Sequence, residues 1–267
     1  MIIAIAAALA AACSGTSSTG ARPSPTPSPT SSSSSSGLLL VGLGDSVPGA
    51  LGCESPCRSY VEVYGELAAK ALGKPVTVKN LGSNASMTAS TLITYLQGDD
   101  ETKQAVAGAS IITLTVGTND WVGPCHFAGL ADCLHRNAAT TGESLGVVLD
   151  EILKLRAGAP TVLRVTDYYD LGLDNPRAAE DFVFDPAKDT ASFERTFSAA
   201  LTEFDATLCR VATSKGAVCV DLRTPFNGPR RTKDAAPLLQ PDHIHPNKAG
   251  HDLIAATVAA AGFAPIA

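Results

Sequence analysis

The chain has 267 residues, with 20 Lys and Arg against 26 Asp and Glu and a formal charge of −6. That acidic balance, with no basic stretch beyond Pro229-Arg230-Arg231-Thr232-Lys233, argues against nucleic acid as a partner. Hydrophobic residues at 45% against 17% charged ones exclude a wholly disordered chain, and the length from residue 37 onward suits one domain with a sizeable core.

Met1 to Ala12 is almost wholly apolar and ends in small residues, as the hydrophobic region and cleavage site of a signal peptide do. Twelve residues are too few to span a bilayer as an ordinary helix. Ala11-Ala12-Cys13-Ser14-Gly15 resembles a bacterial lipobox, which predicts lipidation of Cys13. The match departs from the pattern at Ala10, where leucine is usual, and no Lys or Arg precedes the apolar run. An ordinary secretory signal with an incidental cysteine is the alternative. Residues 13–36 then read as that cysteine and a Ser/Thr/Pro-rich tether, with Arg22 as the one charge. Such a tract cannot build a core and extends over roughly some tens of Å. Export, followed by anchoring to the cell envelope or by secretion, is the expected location. The membrane is expected to be touched only through the lipid.

Residues 37–267 read as the folded domain. Gly37 to Leu43 is a short apolar run, a first strand running into Gly44-Asp45-Ser46. Arg58 to Leu72 has apolar residues at helical spacing, stopped by Gly73 and Pro75. Val76 to Val78 predicts a second strand, which ends in Asn80-Leu81-Gly82. Helical stretches follow within Ala89 to Leu96 and up to Ala107. Ser110 to Val116 is the clearest strand and runs into Gly117-Thr118-Asn119-Asp120. A helix fits Ala138 to Leu155, a fourth strand Thr161 to Thr166, a long helix Ser192 to Thr213, a fifth strand Ala217 to Asp221 and a last helix Lys248 to Ala261. Two segments resist assignment: Asp167 to Asp189, with Tyr168, Tyr169, Phe182 and Phe184, and Pro225 to Pro241. Strands alternating with helices predict a parallel sheet covered on both faces.

Of the seven cysteines, Cys13 stands apart. The other six form an even set, as disulfides in an exported chain require, and six cysteines allow fifteen pairings. Spacing favours three local bridges, Cys53–Cys57, Cys125–Cys133 and Cys209–Cys219. Each closes a short loop and contributes on the order of 2–3 kcal/mol. Zinc is the competing reading, but these are not paired CxxC knuckles.

Polar residues follow three predicted strands: Ser46, Gly82 and Asn119. Asp242-His243-Ile244-His245-Pro246-Asn247 precedes the last helix. A serine hydroxyl is a weak nucleophile and needs an adjacent base; an imidazole serves, and a carboxylate orients it. An oxyanion needs donors, which an asparagine amide and backbone N–H groups supply. In this order the four segments resemble the sequence blocks of the SGNH (GDSL-like) hydrolase family, over residues 38 to about 262. The cysteines and tether resemble its secreted actinobacterial members. The resemblance implies a flavodoxin-like three-layer α/β/α sandwich with a five-stranded parallel sheet. It also implies a carboxylic ester hydrolase, an esterase or lipase acting through an acyl-enzyme with no metal or organic cofactor. Carried over by position, Ser46 is the nucleophile, His245 the base and Asp242 its orienting acid. The Ser46 N–H, Gly82 N–H and Asn119 side chain form the oxyanion hole. Val47 departs from the leucine of the family pattern, and Ala85 from a second glycine. Both bear on pocket shape.

Each segment also has a plainer reading. Gly-Asp-Ser is a common tripeptide, Gly117 to Asp120 are turn formers, and Asn247 can simply cap a helix. His243-x-His245 could ligate a metal, but no third ligand is evident. Gly142-Glu143-Ser144-Leu145-Gly146 matches a nucleophile elbow, yet it lacks a preceding strand and falls in a helical stretch. Substrates of the implied family are lipid, small-molecule or acylated-carbohydrate esters. A carbohydrate O-deacetylase is the second enzymatic reading, and a non-catalytic surface-binding domain is the reading from another class.

Overall fold

The computed structural model describes residues 37–83, 86–125, 129–175 and 190–267. The expected signal segment, Cys13, the tether, Ala85, Phe182 and Phe184 lie outside these residues.

Strand β1 (Leu38–Gly44) is buried over its last five residues, as its apolar run requires. Helix α1 (Tyr60–Leu72) starts where the Ser59 hydroxyl accepts the Val61 N–H and ends at Gly73 in the left-handed conformation. Then come β2 (Val76–Gly82), α2 (Ala89–Gly98), α3 (Asp100–Gly108), β3 (Ile111–Thr115) and a single-turn α4 (Thr118–Trp121). They are followed by α5 (Leu130–Arg156), β4 (Val162–Thr166), α6 (Thr190–Ser214) and β5 (Val218–Val220). A short α7 (Arg223–Asn227) and α8 (Lys248–Ala260) complete the domain, the latter capped by the Asn247 side chain.

All strand pairs are parallel, in the order β2-β1-β3-β4-β5. This is the flavodoxin-like order, and the three-layer expectation holds. Helix α1 packs on α8, while α2, α3 and α6 pack on α5. Buried Arg164 of β4 reaches the α8 layer, where its guanidinium donates to the Gly262 carbonyl at 2.6 Å. Among the described residues no helix is long and apolar enough to cross a membrane.

Helix α5 begins at Leu130 rather than Ala138, because Cys133 and Leu134 add a buried turn. There the Leu134 carbonyl accepts the Trp121 indole N–H at 3.0 Å. The unassigned Pro225–Pro241 stretch contains the end of α7 and a 3₁₀ turn, Ala236–Leu238. Ser144 sits inside α5, where Gly142 and Gly146 face α6 instead of forming an elbow. A Cβ on Gly142 would lie 2.6 Å from the Thr207 methyl. The cysteines pair as spacing favoured: Cys53–Cys57, Cys125–Cys133 and Cys209–Cys219.

Candidate active site

In this strand order the sheet's direction of winding reverses between β1 and β3, and the crevice beyond their carboxyl ends is where ligands bind. Ser46 follows β1 and Asn119 follows β3, so the topology sets them on the two sides of that crevice. Gly44 makes the junction possible. Its φ is +125°, and a Cβ there would lie 1.8 Å from the Thr115 carbonyl oxygen. The Asp45 N–H then donates to that same carbonyl at 3.0 Å.

The last segment before α8 supplies the rest. His245 Nε2 lies 2.9 Å from Ser46 Oγ, and His245 Nδ1 lies 2.6 Å from Asp242 Oδ2. A ring nitrogen facing a carboxylate carries the proton, so Nε2 is left as the acceptor for the serine hydroxyl. The other Asp242 oxygen accepts the N–H groups of Ile244 (2.9 Å) and His245 (3.0 Å). Partial burial pushes the Asp242 carboxyl up, but these two bonds and the His245 ring outweigh it and hold the pKa below the usual range. The structure thus brings the three residues singled out from the sequence into one hydrogen-bonded chain. Among the described residues the one group of three ligand-type side chains close enough to share a metal is Cys53, Cys57 and His251, and it includes neither His243 nor His245. Its two sulfurs are bonded to each other. Asn247 also caps α8, accepting the Gly250 N–H at 3.1 Å.

Asn119 is held on α4, whose Trp121 ring stacks on Phe204 at 4.5 Å between centroids. The Asn119 amide nitrogen donates to the Met87 carbonyl at 2.8 Å. That contact fixes which end of the amide is nitrogen and leaves its second N–H for a ligand. Asn119 and Ser46 line the same cavity.

Gly82 does not take the expected place. Its N–H donates to Asn80 Oδ1 at 3.0 Å, and it does not line the cavity with Ser46. It backs onto the nucleophile loop instead, where a Cβ would lie 2.4 Å from the Gly49 nitrogen. The requirement for glycine at this position is one of packing.

Several residues of the site carried no clear sequence signal. Asn80 and Ser59 both donate to the Pro48 carbonyl, each at 2.7 Å, and so grip the loop that carries Ser46. Tyr168, from the unassigned aromatic segment, donates its hydroxyl to Asp45 Oδ2 at 2.7 Å. Burial pushes the Asp45 carboxyl up to about 6, against the pull of that bond, the Val47 N–H and nearby His245. Tyr169 donates to the Ile244 carbonyl at 2.8 Å and stacks on Phe226. For the two tyrosines the aromatic cluster itself was the available signal.

The cavity has a volume of about 510 Å³. Beside Ser46 and His245 its walls are mostly apolar: Val47, Leu51, Trp121, Leu171, Phe197, Leu201 and Ile244.

A parallel five-stranded sheet with a Ser-His-Asp chain at its carboxyl edge defines a serine hydrolase of the three-layer α/β/α class. The GDSL-like lipase/acylhydrolase family profile matches residues 43–253, and the chain belongs to that family. It is a carboxylic ester hydrolase. Among solved structures it is similar to the lipase Lip_vut3 from a goat rumen metagenome (16% identity, 86% of this chain and 100% of that one, TM-score 0.69). It is also similar to an extracellular lipase from Streptomyces rimosus (17%, 82% and 99%, TM-score 0.55). A third is a catalytic mutant of Axe2, an acetylxylan esterase from Geobacillus stearothermophilus (16%, 84% and 93%, TM-score 0.56). At these identities the likeness is one of fold. No curated protein matches the chain.

Proposed function

We propose that the protein hydrolyses esters of apolar acyl groups longer than acetate, through an acyl-enzyme on Ser46. His245 Nε2 takes the hydroxyl proton as Ser46 Oγ attacks the ester carbonyl. Asp242 holds the ring in the required tautomer and stabilises the imidazolium. The Ser46 N–H and the second Asn119 N–H serve the developing oxyanion. His245 then returns its proton to the departing alcohol, and a water, activated in the same way, releases the acid.

The observation that carries the acyl preference is the apolar wall beside Ser46. An acetyl group would leave most of that wall unused. Each methylene buried on binding contributes about 0.8 kcal/mol, roughly fourfold in kcat/KM. On nitrophenyl esters, kcat/KM is expected to rise about fifteenfold from acetate to butyrate, which adds two methylenes, and to continue toward longer chains until the cavity is full. A maximum at acetate, or faster deacetylation of xylan than cleavage of any longer ester, would replace this reading with the O-deacetylase. The Ser46–His245 bond speaks against a non-catalytic binding domain. Failure of a fluorophosphonate to label Ser46 would revive that reading.

Export and tethering through Cys13 belong to the same proposal. They are supported by the apolar leader and by three disulfides, which persist in oxidising compartments.

A further inference from the structure

We infer that Gln240 is a positioning residue that sets the distance between Ser46 and His245. The two sit 199 positions apart in sequence, on different loops. Proton transfer needs their atoms within about 2.6–3.2 Å. Something must therefore join the loops, and Gln240 does so with every polar group on its donor side.

Its side-chain nitrogen donates to the Leu51 carbonyl at 2.7 Å and to the Pro246 carbonyl at 2.9 Å. Leu51 ends the turn that carries the nucleophile, and its N–H donates to the Ser46 carbonyl at 3.0 Å. Pro246 follows the base directly. One NH₂ group thus bridges the two loops, and facing two carbonyls fixes which end of the amide is nitrogen. The Gln240 backbone closes the turn around His245: its N–H donates to the His245 carbonyl at 2.8 Å, and its carbonyl accepts the His243 N–H at 2.9 Å. Gly52 makes room for the bridge. Its φ is +72°, and a Cβ on it would lie 2.3 Å from Gln240 Oε1.

The inference rests on the reading of Ser46 as nucleophile and His245 as base. The experiment separates the two. Wild type, Ser46→Ala, Gln240→Met and Gln240→Glu are compared by rate of fluorophosphonate labelling, by kcat and KM on a nitrophenyl ester, and by Tm. An unlabelled wild type would overturn the reading of the site itself. With wild type labelled, Gln240→Met is expected to lower labelling rate and kcat together by about 10- to 100-fold, with KM within about twofold. Equal labelling rates for wild type and Gln240→Met would overturn the Gln240 inference alone. So would a fall in kcat that vanishes when the assay is run well below the variant's Tm.

Gln240→Glu keeps the inference open to refutation if Gln240→Met does not fold. An ionised carboxylate aimed at two carbonyls loses both donors, whereas a protonated one regains a donor. The ratio of variant to wild-type kcat is expected to rise as pH falls. A ratio flat with pH would overturn the inference.

Discussion

Asn119 is the residue whose chemistry can be removed most cleanly. Among the described residues its side chain makes one hydrogen bond, to Met87, and it lines the cavity. Losing one oxyanion donor costs about 100- to 1000-fold in kcat. Asn119→Ala is expected to show that loss with KM little changed, read by steady-state kinetics; unchanged turnover would remove Asn119 from the oxyanion hole. The serine, histidine, aspartate and asparagine were legible because each lies at a strand end or helix start that hydrophobic patterning locates. Gln240 and Asn80 were not. A lone glutamine or asparagine in a polar loop has no periodicity to betray it. Its importance lies in carbonyls brought near by tertiary folding, Leu51 for one and Pro48 for the other.

At the scale of elements, the β1–α1 connection is the piece under tightest constraint. Its loop is gripped from beneath by Ser59 and Asn80, and from the side by Gly82. A Gly82→Ala change separates two roles. An N–H donor to the substrate would survive the change, since alanine keeps its N–H. A close approach of backbones would not, because the new methyl would meet the Pro48 and Gly49 main chain at 2.5 and 2.4 Å. The expected outcome is a stability loss of about 1–3 kcal/mol, the usual cost of overpacking, together with at least tenfold lower kcat. Thermal unfolding and kinetics on the same preparation check it. Retained Tm and activity would show that the loop gives way freely. The strands were read correctly from their short apolar runs, because burial on both faces leaves little else they can be. The start of α5 was missed because Ala131 to Asn137 mixes polar residues with a cysteine. The buried contacts of Cys133 and Leu134 exist only once α4 and α6 are in place.

On the scale of the whole molecule, burial has left acidic groups that prefer to be neutral. Asp167 is pushed up to about 7, chiefly by burial and also by Asp221, against the pull of the Leu222 N–H and Arg231. Asp205 beside it is raised as well, first by burial and then by Asp167. A carboxyl whose folded pKa exceeds its unfolded one stabilises the fold below the unfolded value, and that contribution disappears as pH rises through the folded one. The window for Asp167 therefore runs from about 4 to about 7. Asp167→Asn does not titrate and keeps an oxygen for the Leu222 N–H, which Asp167 Oδ1 accepts at 2.5 Å. Its Tm, relative to wild type, is expected to climb by several degrees between pH 4 and 8. A difference independent of pH would mean that folding does not raise the Asp167 pKa. Buried His251 works in the opposite direction. Burial lowers its pKa to about 4, so the stability it contributes above 6.5 is lost as acid is added. None of these shifts could be read from the sequence, because each depends on what distant segments bury.

The 199 residues between nucleophile and base also order events during synthesis. The serine is among the first residues of the domain to be made, and its base among the last. A ribosome-bound chain, or one clipped anywhere before Asp242, carries the attacking hydroxyl without the group that activates it. Ester cleavage therefore begins only after the chain has been made through His245 and the last segment has reached Ser46.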